Sequence, residues 1–142
     1  MAYLKNTKVQ IFLKTVRMQC RKCNVKLELT KCYECNGGDE RCHGFFTEPS
    51  HYTGTHGVLR VATGQRRTAD WLYTLAHEYA HFLQWQREDP IYKEKNYFIL
   101  EEQTEAEAFE ICKQFRLPIP RKYLRVEHKK YMRKLSRYGF HK

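Results

Sequence analysis

The strongest chemical signal in the sequence is His77-Glu78-Tyr79-Ala80-His81, which matches the pattern H-E-x-x-H. Residues four apart lie on one face of a helix, so both imidazoles can reach one metal ion. Zinc binds two imidazole nitrogens and a carboxylate and leaves a fourth position open for water. Glu78 lies close enough to take a proton from that water without ligating the ion. The pattern therefore predicts a hydrolytic zinc site with Glu78 as general base.

A third zinc ligand has to come from outside this pattern. The metzincin pattern requires Gly three residues and His six residues after the second His, and these positions are Gln84 and Arg87. That class is therefore excluded. A downstream histidine would have to be His128 or His141, which lie far along the chain in a basic tail. A glutamate on the next predicted helix is the remaining pattern.

This next helix carries five glutamates, Glu101, Glu102, Glu105, Glu107 and Glu110. Glu105 shares a face with Ala108 and Cys112, which should be buried, and a buried carboxylate needs a partner such as a metal ion. We therefore expect Glu105 as the third ligand. Glu101, one turn earlier on that face, is the alternative, or a group that hydrogen bonds a ligating histidine. We expect the other three glutamates to face solvent.

The elements that must position these side chains are predicted from periodicity and turn signals. Two short strands, Gly44–Thr47 and Gly57–Thr63, precede a helix that starts near Thr68 and ends by Asp89-Pro90. The glutamate-bearing helix runs from about Phe98 to Leu117, and a last helix covers 121–138. At the N-terminus, Val9–Val16 is of strand or short-helix type. A peptide substrate would lie along Val58–Thr63 as an added strand.

Oxyanion stabilisation is left open by the sequence. His51 and His56 lie in a loop near the predicted cleft, as do Tyr92 and Tyr97, and any of the four is a candidate.

Two cysteine pairs have the spacing of zinc knuckles. They are Cys20-x2-Cys23 and Cys32-x2-Cys35, and between them Val25–Thr30 alternates as a half-buried strand does. Such pairs build tetrahedral thiolate sites, so we expect a structural zinc ion here. Cys42-His43 is an alternative source of one ligand pair. The lone Cys112 is expected in the core.

The charge of this 142-residue chain is unevenly distributed, although its formal net value is +10. Residues 1–35 carry +6, residues 36–112 carry −6 and residues 113–142 carry +10. The basic ends are suited to contact with the phosphate backbone of nucleic acid. With no apolar signal region and no long apolar run, we expect a cytoplasmic protein that makes no membrane contact. The sequence says nothing of the oligomeric state.

A family resemblance rests on Thr74–His81 followed by Glu105–Phe109, which are similar to the ImmA/IrrE-type zinc metallopeptidases, gluzincin-like proteins with a glutamate third ligand. From Gly44 to Ile119 the chain also resembles small metallopeptidase-like proteins of phage type. The shared features include Leu59–Thr63, Trp71, Gln84-Trp85, Glu101-x3-Glu105 and Leu117-Pro-Ile119. The resemblance implies that His77, His81 and Glu105 bind zinc and that Glu78 is the base. The cysteine pairs lie outside it.

These observations together predict an α+β, zincin-like metallopeptidase with a small sheet and an N-terminal zinc-ribbon-like module. Residues 1–42 would form the strand and cysteine module, 43–120 the catalytic core and 121–142 a basic amphipathic helix. The predicted function is zinc-dependent hydrolysis of peptide bonds in a peptide or protein substrate. The alternative is a zinc-stabilised nucleic-acid-binding or regulatory protein whose protease-like site is vestigial.

Overall fold

The computed structural model describes residues 5–37, 40–65 and 67–137. Helices and strands follow one another along the chain as α1 (Thr7–Lys22), β1 (Val25–Thr30), β2 (Cys35–Gly37), β3 (Glu40–Cys42), β4 (Gly44–Thr47), β5 (Gly57–Ala62), α2 (Thr68–Gln86), a short 3-10 helix (Pro90–Lys93), α3 (Tyr97–Gln114) and α4 (Arg121–Arg137). The predicted α+β class is confirmed, and the metal-binding pattern lies inside α2 as expected.

Three of the strands form a mixed sheet with strand order β1-β5-β4. β1 runs parallel to β5, and β4 runs antiparallel to it. Both edges of β5 are thus hydrogen bonded to neighbouring strands. The prediction that a substrate adds along Val58–Thr63 is therefore wrong, because a central strand has no free edge. β2 and β3 pair only with each other, as a separate hairpin.

The N-terminal apolar run is helical, which resolves the strand-or-helix ambiguity of the sequence. Asn6 caps α1, and its side chain accepts hydrogen bonds from the backbone N–H groups of Lys8 and Val9. Val9, Phe12 and Val16 recur at helical spacing and are fully buried. The Phe12 ring packs on Phe115 of the α3 C-cap with 4.9 Å between centroids. Helix α1 is thereby part of the same apolar core as α2 and α3.

The three predicted sequence units share one core in the structure. β1 belongs to the first unit and pairs with β5 of the second, while Leu124 of α4 is buried in the cluster that also holds Leu59 and Trp71. The boundaries at residues 42 and 120 stay a prediction, although contacts cross both of them.

Within the described ranges, the helices are too short or too polar for any of them to traverse a lipid bilayer.

Candidate metal centre

The two histidines of α2 and one glutamate of α3 converge on a common point. Nε2 of His77 lies 2.9 Å from Oε2 of Glu101, and Nε2 of His81 lies 3.4 Å from Oε1 of the same carboxylate. One ligand atom from each of the three residues lies within 4.8 Å of the other two. Among the described residues, this is the group of nitrogen, sulfur and carboxylate ligands compact enough to hold an ion.

Glu105, the expected third ligand, lies on the opposite side of the His77 ring. Its Oε1 is 2.7 Å from Nδ1 of His77, the nitrogen that faces away from Glu101. Its second oxygen is 3.6 Å from Nδ1 of His128 on α4. Both glutamates are 2% exposed, so burial alone does not distinguish them. One helical turn decides which carboxylate meets the Nε2 atoms, and in the structure Glu101 meets them.

Glu78 lies on α2 between the two histidines and lines the same cleft. Burial raises the pKa of its carboxyl group above the usual value, although the neighbouring His77 and His81 act in the opposite direction. The strand β4 approaches closely here because residue 44 is glycine. A Cβ atom on Gly44 would lie 2.8 Å from Cγ2 of Thr74 and 3.3 Å from Cγ of Glu78. This strand is therefore held against the helix at the position of Glu78.

The electrostatics of the centre suit a cation. Burial would raise the pKa of Glu101, but the close contacts and charges of His77 and His81 outweigh burial and lower it below its usual range. Burial lowers the pKa of His81, but Glu101 and Glu78 raise it by more, so the pKa lies above its usual value. Oε2 of Glu101 is buried, and among the described residues it makes no hydrogen bond of good geometry, the nearby His77 nitrogen included. Two imidazoles and a carboxylate with an unsatisfied buried oxygen can hold a metal ion.

A cleft of about 790 Å³ opens onto this centre. Its walls include Phe45 and Phe46 of β4 and several tyrosines, namely Tyr73, Tyr92, Tyr97, Tyr123 and Tyr131. Tyr92 and Tyr97, two of the expected oxyanion candidates, line the cleft, whereas His51 and His56 are exposed and do not.

Tyr131 of α4 also reaches the centre, although the sequence analysis did not assign it to the site. Its ring lies 5.9 Å from the His77 ring, and burial followed by the charge of Glu101 raises its pKa. Its position three residues after His128, on one face of α4, was the available signal.

Gln84, whose position was not predicted from the sequence, and Glu107, which was expected to face solvent, both lie beside the centre. Gln84 is fully buried, and its Oε1 lies 3.3 Å from Nδ1 of His81. Glu107, expected on a solvated face, is half-buried and accepts hydrogen bonds from Gln84 and Arg87. The expectation of solvent exposure is wrong for Glu107 and confirmed for Glu110, whose side chain is 75% exposed. Gln84 follows His81 by three residues, a helical spacing that could have revealed it.

The four cysteines expected to bind a structural zinc ion lie in different surroundings. Cys20 is buried in the core on α1, and Cys23 accepts a hydrogen bond from Gln86. Cys32 is exposed. Cys35 on β2 pairs across the hairpin with Cys42 on β3, and Cys42 donates its S–H to the Cys35 carbonyl at 3.6 Å. Over the described residues these cysteines form no disulfide bond and no compact metal group. The structural zinc ion stays a prediction.

Contact between the basic ends and nucleic acid also stays a prediction. On α4, Arg125, Lys129 and Arg133 are exposed at intervals of four residues, which places them on one face. His141 and the end of the predicted last helix at residue 138 lie outside the described residues.

Comparisons of the chain with protein-family models, with curated proteins and with solved structures found no match. The class of site is therefore defined by its geometry alone: a histidine–histidine–glutamate centre, built on two helices, that can hold a metal ion.

Proposed function

We propose that the chain is a zinc-dependent metallopeptidase of zincin-like fold, with His77, His81 and Glu101 as ligands. The observation that carries the proposal is the convergence of both Nε2 atoms on the Glu101 carboxylate, with Glu78 beside them. This arrangement differs from the sequence expectation by one helical turn, because Glu101 replaces Glu105 as the third ligand. A zinc ion held there would polarise a carbonyl group and lower the pKa of a water molecule.

The protein's own groups supply the proton transfers and the orientation. The Glu78 carboxylate accepts a proton from the attacking water and delivers it to the leaving amine nitrogen. Burial suits this double role because it raises the pKa of Glu78 toward that of the groups with which it exchanges the proton. Glu105 accepts a hydrogen bond from Nδ1 of His77, which directs Nε2 of that ring toward Glu101.

The substrate would bind along β4 rather than β5. β4 is an edge strand of the sheet, and Gly44, Phe45 and Phe46 line the cleft. An extended peptide can add to such an edge through main-chain hydrogen bonds. The close approach at Gly44 would bring a scissile bond on that edge near Glu78.

The experiment is a pair of measurements on three variants. Glu101→Gln should remove most bound zinc in elemental analysis, whereas Glu110→Gln should leave the zinc content unchanged. Glu78→Gln should retain zinc but lose hydrolysis of denatured, fluorescently labelled casein. The proposal fails if the wild-type protein binds no zinc. A Glu78→Gln variant that cleaves casein at the wild-type rate would remove Glu78 from the mechanism.

A further inference from the structure

A buried amide lies beside Nδ1 of His81, whereas the group beside Nδ1 of His77 is the Glu105 carboxylate. Gln84 is fully buried, and all of its amide contacts lie within the protein. One end of an amide accepts hydrogen bonds and the other end donates them, so its orientation decides what each neighbour can do. The chemistry of these neighbours, rather than the similar shapes of the two ends, fixes that orientation.

The neighbours of the amide nitrogen are both acceptors. Thr104 gives its own hydroxyl proton to the Leu100 carbonyl at 2.8 Å, so its oxygen is left to accept from Nε2 of Gln84 at 3.1 Å. The Glu107 carboxylate also accepts from this nitrogen and is held in place by the Arg87 guanidinium. A flipped amide would place its oxygen against two acceptor oxygens, which is repulsive.

The amide oxygen must consequently face His81. It lies 3.3 Å from Nδ1 and can only accept, so Nδ1 has to carry the proton. Nε2, which faces Glu101, is then the nitrogen whose lone pair is available to a metal ion. His77 reaches the same tautomer more directly, because the Glu105 carboxylate itself accepts from its Nδ1.

We propose that Gln84 and Glu107 are positioning residues that fix the metal-binding tautomer of His81, with Glu107 acting only through the orientation of the Gln84 amide. This inference rests on the proposed zinc site. It gives a function to Glu107, whose carboxylate belongs to the helix that carries Glu101 but does not join the ligand group. The pair also connects α2 to α3 beside the centre, so the ligands of both helices are aligned by one network.

The test compares zinc dissociation constants, measured by competition with a chromogenic chelator, for the wild type and five variants. Gln84→Met removes the acceptor at about the same side-chain size and should weaken zinc binding about 10- to 100-fold, the usual effect of losing such a support. Glu107→Gln allows the Gln84 amide to take either orientation and should weaken binding several-fold. Glu110→Gln, on the same helix but exposed, is the matched control and should bind as the wild type does.

The decisive protein is the exchanged pair, Gln84→Glu combined with Glu107→Gln. It keeps the same total charge, still presents an acceptor to His81, and places an amide donor opposite the new carboxylate. Zinc affinity should return to within a few-fold of wild type, while Gln84→Glu alone, with two carboxylates facing each other, should bind poorly. A purely structural role for these residues would not produce this rescue.

Two results would overturn the inference. One is a wild-type zinc affinity in both Gln84→Met and Glu107→Gln, with folding verified by circular dichroism. The other is an exchanged pair that folds but binds no better than the worse single variant. Absence of zinc binding in the wild type would instead refute the proposed function on which the inference rests. If Gln84→Met fails to fold, Glu107→Gln and the exchanged pair still decide the question.

Discussion

The metal centre and the cysteine segment both show ligand-like spacing in the sequence, yet in the part of the chain that the structure describes only the centre brings its ligands together. His77 and His81 lie on one helix, where a separation of four residues fixes the relative position of two side chains. Cys20 and Cys23 belong to the end of α1, whereas Cys32 and Cys35 belong to a bend and a hairpin strand. A C-x2-C spacing places two thiols near each other but leaves the distance between pairs to the fold.

Cys20 is a core residue in this fold. It is completely buried beside Val16 in the apolar core, and burial, followed by the nearby Cys23, raises its pKa to about 12. A cysteine binds a metal ion as a thiolate, so this environment of Cys20 opposes metal binding. The Glu101 carboxylate is equally buried, but the histidines beside it lower its pKa and keep it charged. A buried ligand therefore suits a metal site where polar partners such as these histidines are buried with it.

The largest expected difference between the metal centre and the cysteine segment is in the number of zinc ions that each binds. The arrangement in the structure predicts one zinc ion per chain, against the two expected from the sequence. His77→Ala should remove this ion because two ligands on different helices do not hold zinc tightly. The double variant Cys32→Ser with Cys35→Ser should keep that ion. Elemental analysis of dialysed protein measures both. Two ions per chain, one of them lost in the cysteine variant, would establish the structural site predicted from the sequence.

A smaller effect should separate the two buried glutamates of α3. Replacing Glu105 by Gln keeps a hydrogen-bond acceptor near His77 but removes the charge, so zinc affinity should fall about 10- to 100-fold without being abolished. Glu101→Gln, which alters a ligand, should have the larger effect of the two. Chelator competition measures both constants. If Glu105→Gln is the more damaging variant, the ligand assignment returns to the one expected from the sequence.

The smallest effect concerns stability and sharpens the contrast among the cysteines. Cys20→Ser buries a hydroxyl group among apolar side chains and should lower the free energy of unfolding by about 1–3 kcal/mol. Cys32→Ser, at an exposed position, should change it by less than about 0.5 kcal/mol. Urea titration in the presence of a reducing agent compares them. Equal losses for both variants that disappear when a chelator removes zinc from the wild type and both variants would indicate that the two cysteines share an ion.

Much of the local structure follows from the sequence because it depends on neighbours along the chain. The strands Val25–Thr30, Gly44–Thr47 and Gly57–Ala62 and the helices that carry His77 and Glu101 all form close to where periodicity and turn signals place them. The N-terminal run Val9–Val16 is the exception, since so short an apolar pattern fits both a strand and a helix. The presence of a two-histidine centre was equally local, because both rings lie on one helical face.

The sequence by itself determined the α+β class and the pair of histidines, because helical and strand periodicities are properties of short segments. Only the tertiary structure decided which glutamate joins them. Glu101 and Glu105 lie on the same face of α3 and are equally buried, so the packing of α3 against α2 selects between them. The same packing buried Gln84 and brought Glu107 to it. The tertiary structure also decided that β5 lies in the centre of the sheet and β4 at its edge, since strand order depends on long-range pairing that no local pattern encodes.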